Sequence, residues 1–157
     1  MTASRHGACQ LDWAAGTRPG FYPPKNLEQL QYANSRAEFN KWCGIEVTAA
    51  EEGFVELSLQ WKKELGQYSG FLHAGLIGAL IDTACGFAAA TVVGPKILAS
   101  NFSVNCLRPA IGERFIARAK VVKPGKKQTF TSCDLFAITS EGEKLVANGQ
   151  ALLCLID

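Results

Sequence analysis

The chain has 157 residues, is 48% apolar and carries a formal net charge of +2. That length suits one domain, and at this size roughly 70% of the surface exposed by an unfolded chain can be buried. The composition argues against disorder for the bulk of the chain, and the near-neutral charge argues against a nucleic acid or a membrane surface as partner.

Residues 1–25 hold Gly16, Pro19, Gly20, Pro23 and Pro24 with no sustained periodicity, which predicts an irregular N-terminal extension. Trp13, Phe21 and Tyr22 are the side chains that could dock it. The folded domain is expected over 26–157. Asn26 is placed to cap a short helix from Leu27 to Tyr32, and Ser35 to cap another running to Trp42 and stopped by Gly44. Two strands follow, Ile45 to Ala49 and Phe54 to Trp61, around the Glu51-Glu52-Gly53 turn. In the second, Val55, Leu57 and Leu59 alternate with Glu56, Ser58 and Gln60, the half-buried pattern. After the polar stretch Lys62 to Ser69 comes a long apolar helix, Phe71 to Val93.

Beyond Gly94-Pro95 the period changes from helix to strand. Ile97 to Leu107 sets Phe102, Val104 and Cys106 against Asn101, Ser103 and Asn105 on the other side. Pro109 and Gly112 mark a turn before Phe115 to Val122. Pro124-Gly125-Lys126-Lys127 is a hairpin turn leading into Thr129 to Thr139, and Ser140-Glu141-Gly142-Glu143 leads into Lys144 to Ile156. Tight turns force antiparallel neighbours. The expected fold class is α+β: an antiparallel sheet of five or six strands wrapped around one long central helix.

The apolar helix is long enough to imitate a membrane span. Asp82 at its centre, His73 near its start and the interruptions Gly75, Gly78 and Gly86 favour the core of a water-soluble domain instead, since a carboxylate at mid-bilayer costs about 3 kcal/mol or more. The six cysteines include no C-x-x-C pair and only two histidines accompany them, so no metal site is expected. No charged leader with an apolar core opens the chain, and a reducing cytoplasm is the expected location.

Asp82 shares a helix face with Gly75, Gly78, Ala79, Cys85 and Gly86, all small. One reading is close packing, with Asp82 a satisfied buried group. The other is a channel beside a desolvated carboxylate, whose basicity rises as a general base requires. At the helix start, the backbone N–H groups near Ala74 and Gly75 lack intrahelical partners. With the positive end of the helix dipole they favour a developing oxyanion.

The segment Gln67-Tyr68-Ser69-Gly70-Phe71-Leu72-His73-Ala74-Gly75-Leu76-Ile77-Gly78-Ala79-Leu80-Ile81-Asp82-Thr83-Ala84-Cys85-Gly86-Phe87-Ala88-Ala89 closely resembles the signature of PaaI-like hotdog-fold acyl-CoA thioesterases. Asn105-Cys106-Leu107-Arg108-Pro109-Ala110, the Pro124 hairpin and Lys144-Leu145-Val146-Ala147 resemble later parts of the family, so the likeness covers about residues 35–156. The His-Ala-Gly and Asp-Thr-Ala-Cys-Gly branch resembles bacterial medium- to long-chain acyl-CoA thioesterases. The resemblance implies hydrolysis of acyl-CoA to free acid and CoA, with no cofactor beyond the coenzyme A of the substrate. It implies Asp82 as nucleophile or as base for water, and Gln67 as a polar residue positioning that water or the carbonyl. It also implies Ala74, where many members have Gly, as the oxyanion N–H donor, beside Gly75. His73 opens the signature and is expected to shape the loop. Where relatives often place Thr or Ser, this chain has Ala99, with Ser100 adjacent. In the family the oxyanion site of one protomer faces the acid of another, so a homodimer or a dimer of dimers is implied.

Gly78 and Gly86 are expected to leave room for substrate. Arg108, Lys126 and Lys127, with Lys123, lie at strand ends and a hairpin, either as solvated turn residues or as donors to coenzyme A phosphates. Two other readings stay open: a non-catalytic acyl-CoA binding or sensing domain, and a hotdog dehydratase or hydratase. The latter needs a His beside the acid, and His73 falls roughly opposite Asp82 on an ideal helix. A Cys85 nucleophile is disfavoured, because an apolar helix is expected to raise its thiol pKa.

Overall fold

A computed structural model describes residues 26–156; the expectations for residues 1–25 lie outside the described residues. The domain opens with two short helices, α1 (Leu27–Ser35) and α2 (Glu38–Cys43). Asn26 caps α1 as its sequence predicts, accepting from the Gln29 N–H at 2.9 Å. Ser35 does not cap α2. It ends α1, its hydroxyl donating to the Tyr32 carbonyl at 2.7 Å, and α2 begins after Ala37 with no side-chain cap. Gly44 stops α2 in the left-handed conformation (φ 81°), where glycine carries no steric cost. Buried Asn40 donates to Asn34 Oδ1 at 2.9 Å, and Asn34 donates to the Ile45 carbonyl at 2.7 Å. Two asparagines thus pin the helical pair to the first strand.

Six strands form one antiparallel sheet in the order β1-β2-β4-β5-β6-β3. They are β1 (Ile45–Glu51), β2 (Phe54–Gln60), β3 (Ile97–Cys106), β4 (Arg114–Lys123), β5 (Gln128–Thr139) and β6 (Gly142–Leu155). Register aligns Leu57, Ala117, Leu135 and Ala147 in one row, large beside small, each fully buried against the helix layer. On the outer face Arg118 donates to Glu56 and to Glu143, both at 2.8 Å, so one guanidinium links β2, β4 and β6.

The sheet wraps α3 (Ala74–Val93), a 20-residue helix whose Leu80, Ile81, Ala84 and Ala88 are fully buried. This is the hotdog architecture. The helix is long and apolar enough to cross a membrane, but 61% of its apolar stretch is buried inside the domain. Gly149 on β6 sets their distance: a Cβ there would lie 2.4 Å from the Ser103 carbonyl oxygen and 2.9 Å from Ile81 Cγ2. At its far end, the Thr91 hydroxyl donates to the Ala88 carbonyl at 2.6 Å and accepts from the Gly53 N–H at 2.8 Å.

β3 keeps the two faces read from its alternation but is largely exposed. Phe102, Val104 and Cys106 do share the inner face, paired with Ala151, Gly149 and Ala147. Yet Phe102 is 48% exposed and Cys106 is exposed as well. Among the described residues β3 is an edge strand, paired only with β6. Beside it the Gly75–Ala79–Asp82–Gly86 row of α3 is only partly covered.

Candidate active site

The geometry begins at the loop before α3. The Leu72 N–H donates to the Ala110 carbonyl and the His73 N–H to the Leu65 carbonyl, both at 3.0 Å, which fixes the helix tip against the body of the domain. Gln67 closes the preceding turn. Its N–H donates to the Phe71 carbonyl at 2.8 Å, and its side-chain oxygen accepts from the Ser69 N–H. That side chain is turned into its own loop.

His73 is the N-cap of α3. Its Nδ1 accepts from the Gly75 N–H at 2.9 Å, and its carbonyl accepts from Leu76 and Ile77. The Gly75 amide is therefore occupied within the chain. The Ala74 N–H, at the exposed tip, is the first-turn donor that no such bond takes. The oxyanion pair expected near Ala74 and Gly75 reduces to Ala74 in this geometry. Serine, threonine, aspartate and asparagine are the usual caps, so the capping role of His73 carried little sequence signal.

Asp82 lies two turns further along α3. Its Oδ1 is buried without a hydrogen-bond partner, and burial raises its pKa above the ordinary carboxylate value. A structural aspartate would have its buried oxygens satisfied; this one faces a cleft of about 310 Å³. Thr83, Gly86, Phe87 and Ala90 continue the α3 wall, while Ala33, Arg36, Ala37 and Asn40 form a roof from the helical pair. Ile97, Leu98 and Ala99 of β3 and Leu153 of β6 complete it. Among the described residues Asp82 is the one carboxylate in the lining.

Of the residues singled out in the sequence, the cleft brings together Asp82 and Gly86. Gln67, His73, Ala74 and Gly75 are grouped at the helix tip, about 12 Å away along the axis. Gly78 is buried beneath Phe102, whose Cε2 would lie 3.5 Å from an added Cβ. Arg108, Lys123, Lys126 and Lys127 are exposed on β3, β4 and the turns that follow them, outside the lining. Ser100 is the extra residue of a bulge in β3, and its hydroxyl donates to the Leu152 carbonyl at 3.1 Å. Cys85 is fully buried, but a hydrogen bond with Cys133 draws its thiol pKa below the ordinary value rather than above it. The same hydrogen bond, with burial, pushes Cys133 strongly up. Sequence reasoning missed Thr83, Phe87 and Ala90, although they share with Asp82 and Gly86 a continuous stripe of α3. It also missed the roof, which depends on how α1 and α2 fold back.

Comparison with known proteins agrees with the fold. Residues 69–144 match the thioesterase superfamily. Human acyl-coenzyme A thioesterase 13 is 31% identical over 130 residues, covering 80% of this chain and 91% of that protein. The crystal structure of a thioesterase family protein from Silicibacter pomeroyi superposes with a TM-score of 0.78 at 35% identity, covering 82% of this chain and 96% of that one. The E. coli PaaI protein, at 22% identity and a TM-score of 0.68 over 83% of this chain and 96% of its own, shares the fold. The chain belongs to the thioesterase superfamily.

Proposed function

We propose that this protein hydrolyses acyl-CoA thioesters in a homodimer, with Asp82 of one copy acting opposite the Ala74 N–H of a second copy. The observation that carries the reading is Asp82 itself, a lone acid with an unpaired buried oxygen facing an apolar cleft. Family membership supplies the reaction class. The name of the human relative supplies acyl-CoA as substrate class. Within one chain the acid and the free amide are too far apart to serve the same carbonyl, and the uncovered α3 row beside edge strand β3 offers the surface on which two copies could bring them together.

In the proposed step, the ionised Asp82 carboxylate takes a proton from water as the water oxygen attacks the thioester carbon. The carbonyl oxygen becomes an oxyanion held by the Ala74 N–H. Collapse breaks the C–S bond, the thiolate of coenzyme A leaves and takes up the proton, and the free acid remains. Attack by Asp82 itself would give a mixed anhydride that water then opens to the same products. Gln67 and His73 act here by shaping the tip that presents the donor. Arg108, Lys126 and Lys127 remain candidates for the coenzyme A phosphates.

Asp82→Asn is expected to lower kcat by about 10²–10⁴-fold, the usual worth of a positioned base, while circular dichroism and acyl-CoA binding persist. Undiminished thiol release by this variant overturns the assignment of Asp82. Tight acyl-CoA binding with no turnover by the wild-type protein would instead identify a binding domain.

A further inference from the structure

Charge is unevenly spread over this chain. Between Glu113 and Asp134 stand six basic residues, Arg114, Arg118, Lys120, Lys123, Lys126 and Lys127, and no acidic one, while the rest of the chain is net acidic. The near-neutral total, which argues against a membrane surface when read as one number, is the sum of these two parts. Arg118 is held by Glu56 and Glu143. Lys123, Lys126 and Lys127 are exposed at the end of β4 and in the turn after it. Among the described residues none of these three enters an ion pair.

The same turn is flanked by apolar side chains in solvent. Val122 is the extra residue of a bulge in β4 and is 63% exposed. Phe130, paired with Lys123 just past that bulge, is 46% exposed, and Leu152 of β6 stands across from it, half-buried. Isolated apolar side chains on a surface are ordinary; a row spanning three strands beside unpaired cations is not. The backbone that carries them is fixed. The Lys127 carbonyl accepts from the Leu155 N–H at 3.1 Å, and a Cβ on Gly125 would run into the Gln128 carbonyl. This row lies on the outer face of the sheet, away from the inner face of β3 and the α3 row that a second copy covers on the reading above.

We infer that the β4–β5 turn docks this protein on an anionic lipid surface, with Val122 and Phe130 entering the headgroup layer and Lys123, Lys126 and Lys127 meeting lipid phosphates. Cations are drawn to a negatively charged leaflet within about 10 Å of it, and apolar side chains gain where hydrocarbon is within reach. A bilayer offers phosphate and hydrocarbon together. It demands no matching shape from a turn exposed at every residue from Val122 to Gln128 except Gly125. Docking is independent of what Asp82 does. Lys126 and Lys127 are also candidates for the coenzyme A phosphates, and Val122 and Phe130 tell the two ligands apart, because a free phosphate has no use for them.

The test is co-sedimentation of the full-length protein with phosphatidylcholine vesicles, with and without phosphatidylglycerol. Binding is expected only where phosphatidylglycerol is present, and should fall steeply between about 0.1 M and about 1 M salt. Lys123→Gln, Lys126→Gln and Lys127→Gln together should weaken it about 100-fold, at about fivefold for each cation. Val122→Ser with Phe130→Ser should weaken it at least about tenfold, with circular dichroism unchanged. Should the serine pair fail to fold, Phe130→Trp decides: brominated lipid in anionic vesicles should quench its emission beyond that of the wild-type protein, and no added quenching overturns the inference. So does a lack of sedimentation with anionic vesicles at low salt, or equal sedimentation with neutral ones. Binding that the lysine changes weaken and the serine pair leaves untouched is attraction to phosphate alone, and overturns docking too. Retention on polyglutamate without retention on vesicles identifies an acidic protein as the partner and overturns the lipid assignment.

Discussion

Burial raises the pKa of Asp82, so the native chain holds a proton there more tightly than the unfolded chain does. Between the ordinary value near 3.8 and the raised native value, the folded state therefore carries more bound proton, and stability falls as pH rises through that window. Above it the loss is complete. Asp82→Asn has no such proton to lose. Its melting temperature is expected to exceed that of the wild-type protein at neutral pH, with the gap narrowing as pH is lowered towards 3.8. Parallel melting curves across that range would contradict the burial argument. The same shift places the acid limb of kcat/KM above the ordinary carboxylate range in the wild-type protein. At this scale the sequence was informative about Asp82, because a single acid among glycines and alanines stands out. It was silent on the Gly75 amide, since nothing in the order His-Ala-Gly says that a histidine ring turns back on the amide two residues later.

At the level of elements, the tip of α3 can be altered without unwinding it. Ala74 is the first helical residue, and His73 before it is extended, with ψ 134°. Proline is tolerated at that position and accepts an extended predecessor. Ala74→Pro therefore deletes one N–H and little else. Its kcat is expected to fall by about 10²–10³-fold with the melting temperature nearly unchanged; full activity would show that the donor lies elsewhere. Gly149→Ala should do the opposite. The added methyl meets a backbone oxygen and a branched core side chain, and overpacking of this kind costs about 1–3 kcal/mol, readable as a lowered denaturant midpoint. Strand positions were legible because alternation, Gly44 and the tight turns all pointed the same way. The start of α2 was not, since Ala37 offers no cap and the motif at Ser35 belongs to the end of α1. Alternation in β3 gave its faces correctly but not its exposure. A one-dimensional pattern records which side chains share a side, not whether anything lies over it.

For the whole molecule, the uncovered inner face of β3 and the Asp82 row of α3 lie together, and on the proposed reading a second copy closes over them. The assembly should then be at least dimeric by light scattering, with a melting temperature that rises with protein concentration. Phe102→Glu puts a charge in the middle of that face. It is expected to yield a monomer that keeps its strands by circular dichroism and loses thioester turnover, because the acid and its donor no longer meet. A fully active monomer would refute the two-copy site. This level was the least legible of all in the residues themselves. Order along one chain cannot say which surfaces find each other, and the expectation of pairing came from the family likeness.

The asparagine clasp between α1, α2 and β1 has one more implication. On the proposed reading, its members fasten by a few side-chain hydrogen bonds the roof over a reacting centre that stands on a different element. Descendants of such a protein could exchange or reshape that cover and so acquire a taste for new fats, while inheriting the same hydrolytic engine intact.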